Sequence, residues 1–235
     1  MTFSMKRVQA IFTKDYKDLM KNYFVLSTPF FALLLAAWLG RTGGADTALI
    51  GYVINFTLGM SAIFIQASIV AEEKEKNTLR GLLLSPASTA EIMLGKSLLS
   101  ALVTIITIVA AILLADYEMP NIWWFSIVTL LCLITYIALG TIVGLLSRSV
   151  MEASVVGMPF LLVFGAASMF TGLIDNEILL AIVTNLPSSH FIDALVALDA
   201  SAGFESISKH VIALLIWVVV SIIATLAIYK KRRFD

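Results

Sequence analysis

Apolar residues run along this chain in long unbroken blocks, set apart by short polar stretches. Six blocks are close to the roughly 20 residues needed to cross about 30 Å of hydrocarbon: 23–39, 48–71, 97–115, 123–146, 153–173 and 211–229. A lipid-exposed backbone must satisfy its own hydrogen bonds, so each block predicts a helix. A transmembrane barrel would show segments of about ten residues with alternating polarity, and none of the blocks alternates in that way. The expected fold is an all-α polytopic membrane protein with six transmembrane helices in a single domain over residues 1–235.

Three stretches outside the blocks have patterns of their own. In residues 1–21, Met5, Val8, Phe12, Tyr16 and Leu19 recur every three to four positions among five basic residues. That spacing predicts an amphipathic interfacial helix, its lysines toward the headgroups, acting as an anchor for the first span or also as a contact for a cytoplasmic partner. No long apolar core marks a cleavable signal there. Residues 72–91 form the longest densely charged break, beginning Glu72-Glu73-Lys74-Glu75-Lys76 and passing through Leu79, Leu82 and Leu83 to Ser85-Pro86. Residues 174–210 are too apolar to hang in water, and each half is too short to span. They predict short re-entrant helices dipping into the outer leaflet before the last span, broken at Pro187, as a gate or as a structural lid.

Composition agrees with the blocks: 60% of residues are hydrophobic and 14% charged, with a mean hydropathy of +0.96, against about 25% charged residues in soluble domains. The net charge is zero, yet its distribution is lopsided. Six spans put both termini on one side, which then carries every Lys and Arg except Arg41 and Lys209. The positive-inside bias makes that side cytoplasmic. The acids of the outer loops, such as Asp116, Asp175 and Asp199, read as solvated loop ends.

Candidate chemistry is sparse. The six blocks contain no Asp, Glu, Lys, Arg or His, which weighs against proton- or ion-coupled carriage and against an intramembrane hydrolase. Asn55 and Gln66 are the polar residues costliest to leave unpaired at depth, so they should face the bundle interior, pairing helices or lining a path. Gly140 and Gly144 form a GxxxG expected to pack within one bundle, and Pro159 should bend the fifth span. Cys132 can form no intrachain disulfide, being the single cysteine. Gly95-Lys96-Ser97 lacks the earlier glycine of a phosphate-binding loop, so no ATPase is expected in this chain. Ser188, His190 and Asp193 lie too close in sequence, with no nucleophile elbow, to read as a hydrolase triad.

The charged loop resembles that of the ABC-2 family of ATP-binding-cassette transporter permeases. Glu73-Lys74-Glu75, Thr78-Leu79, Leu82-Leu83, Ser85-Pro86, Glu91 and Gly95-Lys96 match that family's pattern in register. Asn77 stands where the family often has Gly, a mild change because Asn tolerates a left-handed backbone. Arg80 reverses the charge of the usual Glu. The likeness extends to the span count, the interfacial helix and an outer segment with Leu186, Pro187, His190, Phe191 and Ala194.

The resemblance implies a permease that works in pairs, identical or different, each bound to a cytoplasmic ATPase that holds the ATP and Mg. Residues 78–84 would be a cytoplasmic coupling helix seated on that ATPase, with Thr78, Leu79, Arg80, Leu82 and Leu83 in contact. Glu73 and Glu75 would sit at its positive N-terminal end. Asn55, Gln66, Pro187 and Phe191 are the candidates for the path and its gate. A hydroxyl- and aliphatic-lined path suits an amphipathic or hydrophobic cargo: a peptide, a lipid-like molecule or a drug. Small permeases of this family resemble those of bacterial peptide-toxin export and immunity, and polysaccharide is the second choice. No cofactor is expected in the chain itself, and no nucleic acid as partner. An ion-coupled carrier and a non-transporting membrane scaffold are the readings from other classes.

Overall fold

The computed structural model describes residues 3–42, 46–76, 78, 86–119, 121–200 and 204–232. Helix is the only regular structure among them. A short helix, α1 (Met5–Leu19), precedes six long ones: α2 (Tyr23–Thr42), α3 (Thr47–Glu75), α4 (Thr89–Leu114), α5 (Ile122–Leu146), α6 (Val150–Leu173) and α9 (Phe204–Arg232). Between α6 and α9 lie α7 (Glu177–Thr184) and α8 (Pro187–Asp199). All six predicted spans are therefore present, and each is long and apolar enough to cross a membrane.

The helices outrun the apolar blocks, and their starts show why. Ser88 and Glu91 form a reciprocal capping box that lets α4 begin eight residues before the apolar run. Asn121 caps α5, accepting from the Trp123 and Trp124 amides at 3.1 and 3.3 Å, and Ser149 caps α6. This corrects one expectation. Once the helices are drawn to their true ends, Glu72, Glu73, Glu91, Lys96 and His210 all lie within spanning helices.

Two spans form the centre. Within an 18-residue apolar stretch of each span, 72% of the α3 residues and 78% of the α5 residues are buried, against 39% or less in the other spans. The GxxxG of α5 holds them together. A Cβ on Gly140 would stand 2.7 Å from the Ile63 carbonyl oxygen, and one on Gly144 2.7 Å from that of Ala67. Only glycine allows this approach, so the motif packs α5 on α3 within one bundle. The α9 helix runs alongside α5, with Thr225 donating to the Ala138 carbonyl at 3.1 Å.

Both α3 and α6 depart from regular α-geometry. A π-turn interrupts α3 at Gly59–Ile63. In α6 the α-turns stop at Phe160, one residue beyond Pro159, and give way to a π-segment and then 3-10 turns, as the missing proline amide would lead one to expect. The two π-segments face each other, with Gly59 against Leu161 and Gly165.

The α7–α8 pair is bent by 67°. Pro187 is the first residue of α8, where a missing amide costs nothing. The turn lies deep: the Trp217 indole donates to the Asn185 carbonyl at 2.8 Å, and the Cys132 thiol lies 3.7 Å from that of Pro187. Cys132 is ten residues into α5, roughly 15 Å along its axis. The other end of α8 returns to the level of the α3 start, where Thr47 donates to Asp199 at 2.8 Å. The segment thus enters and leaves the bundle from one end, with its tip near mid-depth.

Candidate functional site

The other end of the bundle gathers α1, the ends of α3, α5 and α9 and the starts of α4 and α6. Here the structure places a buried cluster of charge. The Lys96 ammonium donates to Asp15 at 3.0 and 3.2 Å and to Glu73 at 2.9 Å. The three side chains are only 5, 3 and 2% exposed. Lys14 closes the cluster, bonded to Glu73 and 3.3 Å from Asp15. Two cations thus balance two carboxylates, the condition for holding charge out of water. Burial pushes the Asp15 carboxyl above its ordinary range, and the Lys96 ammonium offsets this only in part.

The cluster joins three segments distant in sequence: α1 supplies Asp15 and Lys14, α3 supplies Glu73, and α4 supplies Lys96. Gly95 makes the junction close, because a Cβ there would stand 2.8 Å from Ile11 of α1. A second clasp holds the other end of α1. Glu91 accepts from the Ser4 amide at 2.6 Å and from Arg7 at 3.3 Å, and Arg7 donates to the Pro86 carbonyl at 2.8 Å. Lys76 adds a more exposed pair with Asp18 and Glu72.

One face of α1 packs on the bundle. Val8, Ile11, Asp15 and Leu19 turn inward, while Met5 and Tyr16 stay exposed. The Lys96 ammonium draws Asp15 inward, and Ile11 fits the gap left by Gly95.

Of the expected coupling residues, Glu73, Glu75 and Thr78 are described; Leu79, Arg80, Leu82 and Leu83 lie outside the described residues. The two glutamates expected at the N-terminal end of that helix are tied into the bundle. The Glu73 carboxylate is buried and bonded to Lys14, Lys96 and the Thr78 hydroxyl, and the Thr78 amide donates to the Glu73 carbonyl at 2.9 Å. Glu75 accepts instead from the Val150 amide at 2.9 Å, at the start of α6. Both carboxylates are spent fastening the end of α3 to other spans. Lys74 does likewise, donating to the Leu145 carbonyl at 2.8 Å.

The four path and gate candidates are buried. Asn55 donates to the Gly165 carbonyl at 2.9 Å, and its own oxygen accepts from the Tyr136 hydroxyl at 2.6 Å. Gln66, further along α3, donates to Thr141 at 2.9 Å and accepts from Ser100 at 2.6 Å. Phe191 and Pro187 are buried on α8, Phe191 in the main core. Within one chain these residues line no open passage. The penalty for an unpaired amide in a dry interior has drawn Asn55 and Gln66 into helix-to-helix bonds. Gln66 does border a cavity of about 20 Å³ that also touches Glu73 and Lys96.

Asp15, Lys96 and Tyr136 are the residues that sequence reasoning missed. Asp15 had a readable signal, since it continues the Val8, Ile11, Leu19 periodicity as the one acid on that face. Lys96, at the mouth of an apolar block, needed a partner, but nothing local said which. Tyr136 gave no signal apart from being a polar tip inside a span.

These features define a multi-pass, all-helical membrane protein whose spans are clasped at one end by buried charge. The model of the ABC-2 family transporter protein family matches residues 12–227, and the chain belongs to that family. It is thus a transmembrane subunit of an ABC transporter, from a family whose members work with an ATPase component. No curated protein matches the chain.

Proposed function

We propose that this chain is the permease half of an ATP-driven exporter that moves an amphipathic or hydrophobic molecule out across the cytoplasmic membrane. The clasped end faces the cytoplasm, as the positive-inside bias requires. Residues 78–84 form the coupling helix, with Leu79, Leu82 and Leu83 as apolar contacts on a separate ATPase and Arg80 as a charged one. Two permease chains share the path, and Pro187 and Phe191, near mid-depth, gate its outer half in the resting state.

The observation that carries this reading is the buried Lys96–Asp15–Glu73–Lys14 cluster and its bonds to Thr78. A loop that only turned the chain would need no such anchor. A loop that receives force from an ATPase has to pass it into the bundle, and Thr78 is fastened to the carboxylate that grips both α1 and α4. The cargo class follows from the interior: polar groups at mid-depth are neutral, among them hydroxyls such as Ser61 and Thr104 and the paired Asn55, Tyr136 and Gln66. A hydrophobic peptide, a lipid-like molecule or a drug fits such a path better than a strongly charged solute.

The test is substitution of the coupling leucines. Leu82→Asp and Leu83→Asp should each abolish co-purification of the ATPase while the chain still inserts and elutes as the wild type does. ATPase binding at wild-type level in both variants would refute the assignment.

A further inference from the structure

The re-entrant helix α8 and the last span α9 meet through a pair of histidines. The Nδ1 atoms of His190 and His210 lie 3.1 Å apart, with the rings tilted by 56°. His210 is 7% exposed and stands six residues in from Phe204, roughly 9 Å along α9. His190 is partly buried beside Phe191, which packs in the main core. Among the described residues no other side-chain hydrogen bond joins these two helices; the Trp217 indole reaches only the turn before α8.

Such a contact depends on its proton count. Two facing Nδ1 atoms bond when one carries a hydrogen and the other a lone pair. A neutral pair meets that condition. So does a pair with one extra proton, because the charged ring donates and the neutral ring accepts. A second extra proton puts an N–H on both facing atoms. The bond is then lost, and two positive rings repel each other at a centroid distance of 5.4 Å. The surroundings do little to offset this. Two charged side chains act on the pair: the Asp193 carboxylate of α8, which favours charged rings, and the Lys209 ammonium of α9, which opposes them. Both are exposed, and their charges are opposite. Asp199, further along α8, accepts from Thr47, and Glu205 stands five residues before His210 on an exposed turn. The other elements packed against α8 are the first half of α3 (47–58), α5, the irregular half of α6 (161–173) and α7. The first three contain no charged residue. Their Tyr52, Cys132 and Tyr136 stay neutral in acid, and Glu177 of α7 lies at the end away from α8.

From this geometry we infer that the His190–His210 contact is a proton-sensitive latch, which holds α8 against α9 while one ring at most is charged and releases it when acid on the outer side charges both. Free imidazoles take up protons near pH 6.5, so release belongs to the acid side of neutrality. The consequence for transport rests on the gate assigned above to Pro187 and Phe191: with α8 released, the outer half of the path is no longer held shut. The latch itself is read without cargo or ATPase, so its failure and the failure of the export reading are distinguishable.

The experiment uses the full chain in lipid nanodiscs, with EDTA present throughout so that no stray metal bridges the rings. Spin labels are attached through Val196→Cys on α8 and Ile216→Cys on α9, both exposed positions, in a Cys132→Ala background. Double electron–electron resonance should give one distance at pH 7.5 and a second, longer one at pH 5. The longer population should rise about tenfold or more as both rings cross their titration range, and should vanish on return to pH 7.5. In His210→Asn, whose side-chain amide stands near the place of Nδ1 and takes no proton, the pH 5 population should stay at its pH 7.5 level. His190→Asn, at the less buried position, serves the same test if His210→Asn does not fold. A wild-type distribution unchanged at pH 5 would overturn the inference. So would a longer population at pH 5 that survives in the Asn variant.

Discussion

Replacing Lys96 by methionine should destabilise the bundle more than any other single charge deletion at the clasped end. Lys96 is 5% exposed and stands within 3.0 Å of two carboxylates that are 3 and 2% exposed. Methionine keeps the apolar stem but leaves Asp15 and Glu73 facing each other with Lys14 alone to balance them. Removing one partner of a buried ion pair costs about 3–5 kcal/mol. At roughly 2–4 °C per kcal/mol for a chain of this size, the midpoint of thermal unfolding should fall by roughly 6–20 °C. Adding Asp15→Asn to Lys96→Met restores the balance of one cation with one carboxylate, so the double variant should recover part of the loss. The coupling energy should be of the order of 1–3 kcal/mol. The assay is unfolding of detergent-purified protein followed by tryptophan fluorescence, for the wild type, both single variants and the double. Strict additivity of the two single effects, or a Lys96→Met midpoint equal to the wild type, would refute the reasoning, because the cluster would then not act as a unit.

Two further outcomes follow from packing and pairing at depth. Gly144→Ala places a methyl group 2.7 Å from the Ala67 carbonyl oxygen, and by overpacking should cost about 1–3 kcal/mol in the same unfolding assay; an unchanged midpoint would mean that α3 and α5 do not meet there. Tyr136→Phe leaves the buried Asn55 oxygen without its donor, which should cost about 1–3 kcal/mol, and pairing Tyr136→Phe with Asn55→Leu should cost less than the two separate losses combined.

How much of this was legible in the sequence depends on the range of the interaction. The six spans were, because a run of about 20 apolar residues has few other fates. The Gly140 and Gly144 contact was also legible, because the spacing sets the face. Helix ends were not, because hydropathy is blind to caps: Ser88 and Glu91 extend α4 well before its apolar run. Which face of α1 meets the bundle was not legible: Ile11 and Asp15 turn inward for reasons set by Gly95 and Lys96, some 80 positions away. The clasp itself was hidden for the same cause. Lys96, Asp15 and Glu73 are each ordinary in their local stretch, and only the fold brings them within 3.0 Å. Asn55 and Gln66 were correctly expected to face inward, but their partners Tyr136, Gly165, Ser100 and Thr141 come from other helices. The loop motif at residues 79–84 was the most specific sequence signal, and it reads as a surface for another protein, whose shape is not written in this chain.

The most direct test of the central claim is the mass of the complex that forms around the wild-type chain. Solubilised gently from its own membranes through a C-terminal tag and weighed by native mass spectrometry, it should appear with a stoichiometric ATP-binding-cassette ATPase, one per permease chain. A chain that elutes without any ATPase, from membranes in which it is abundant and folded, would contradict the account.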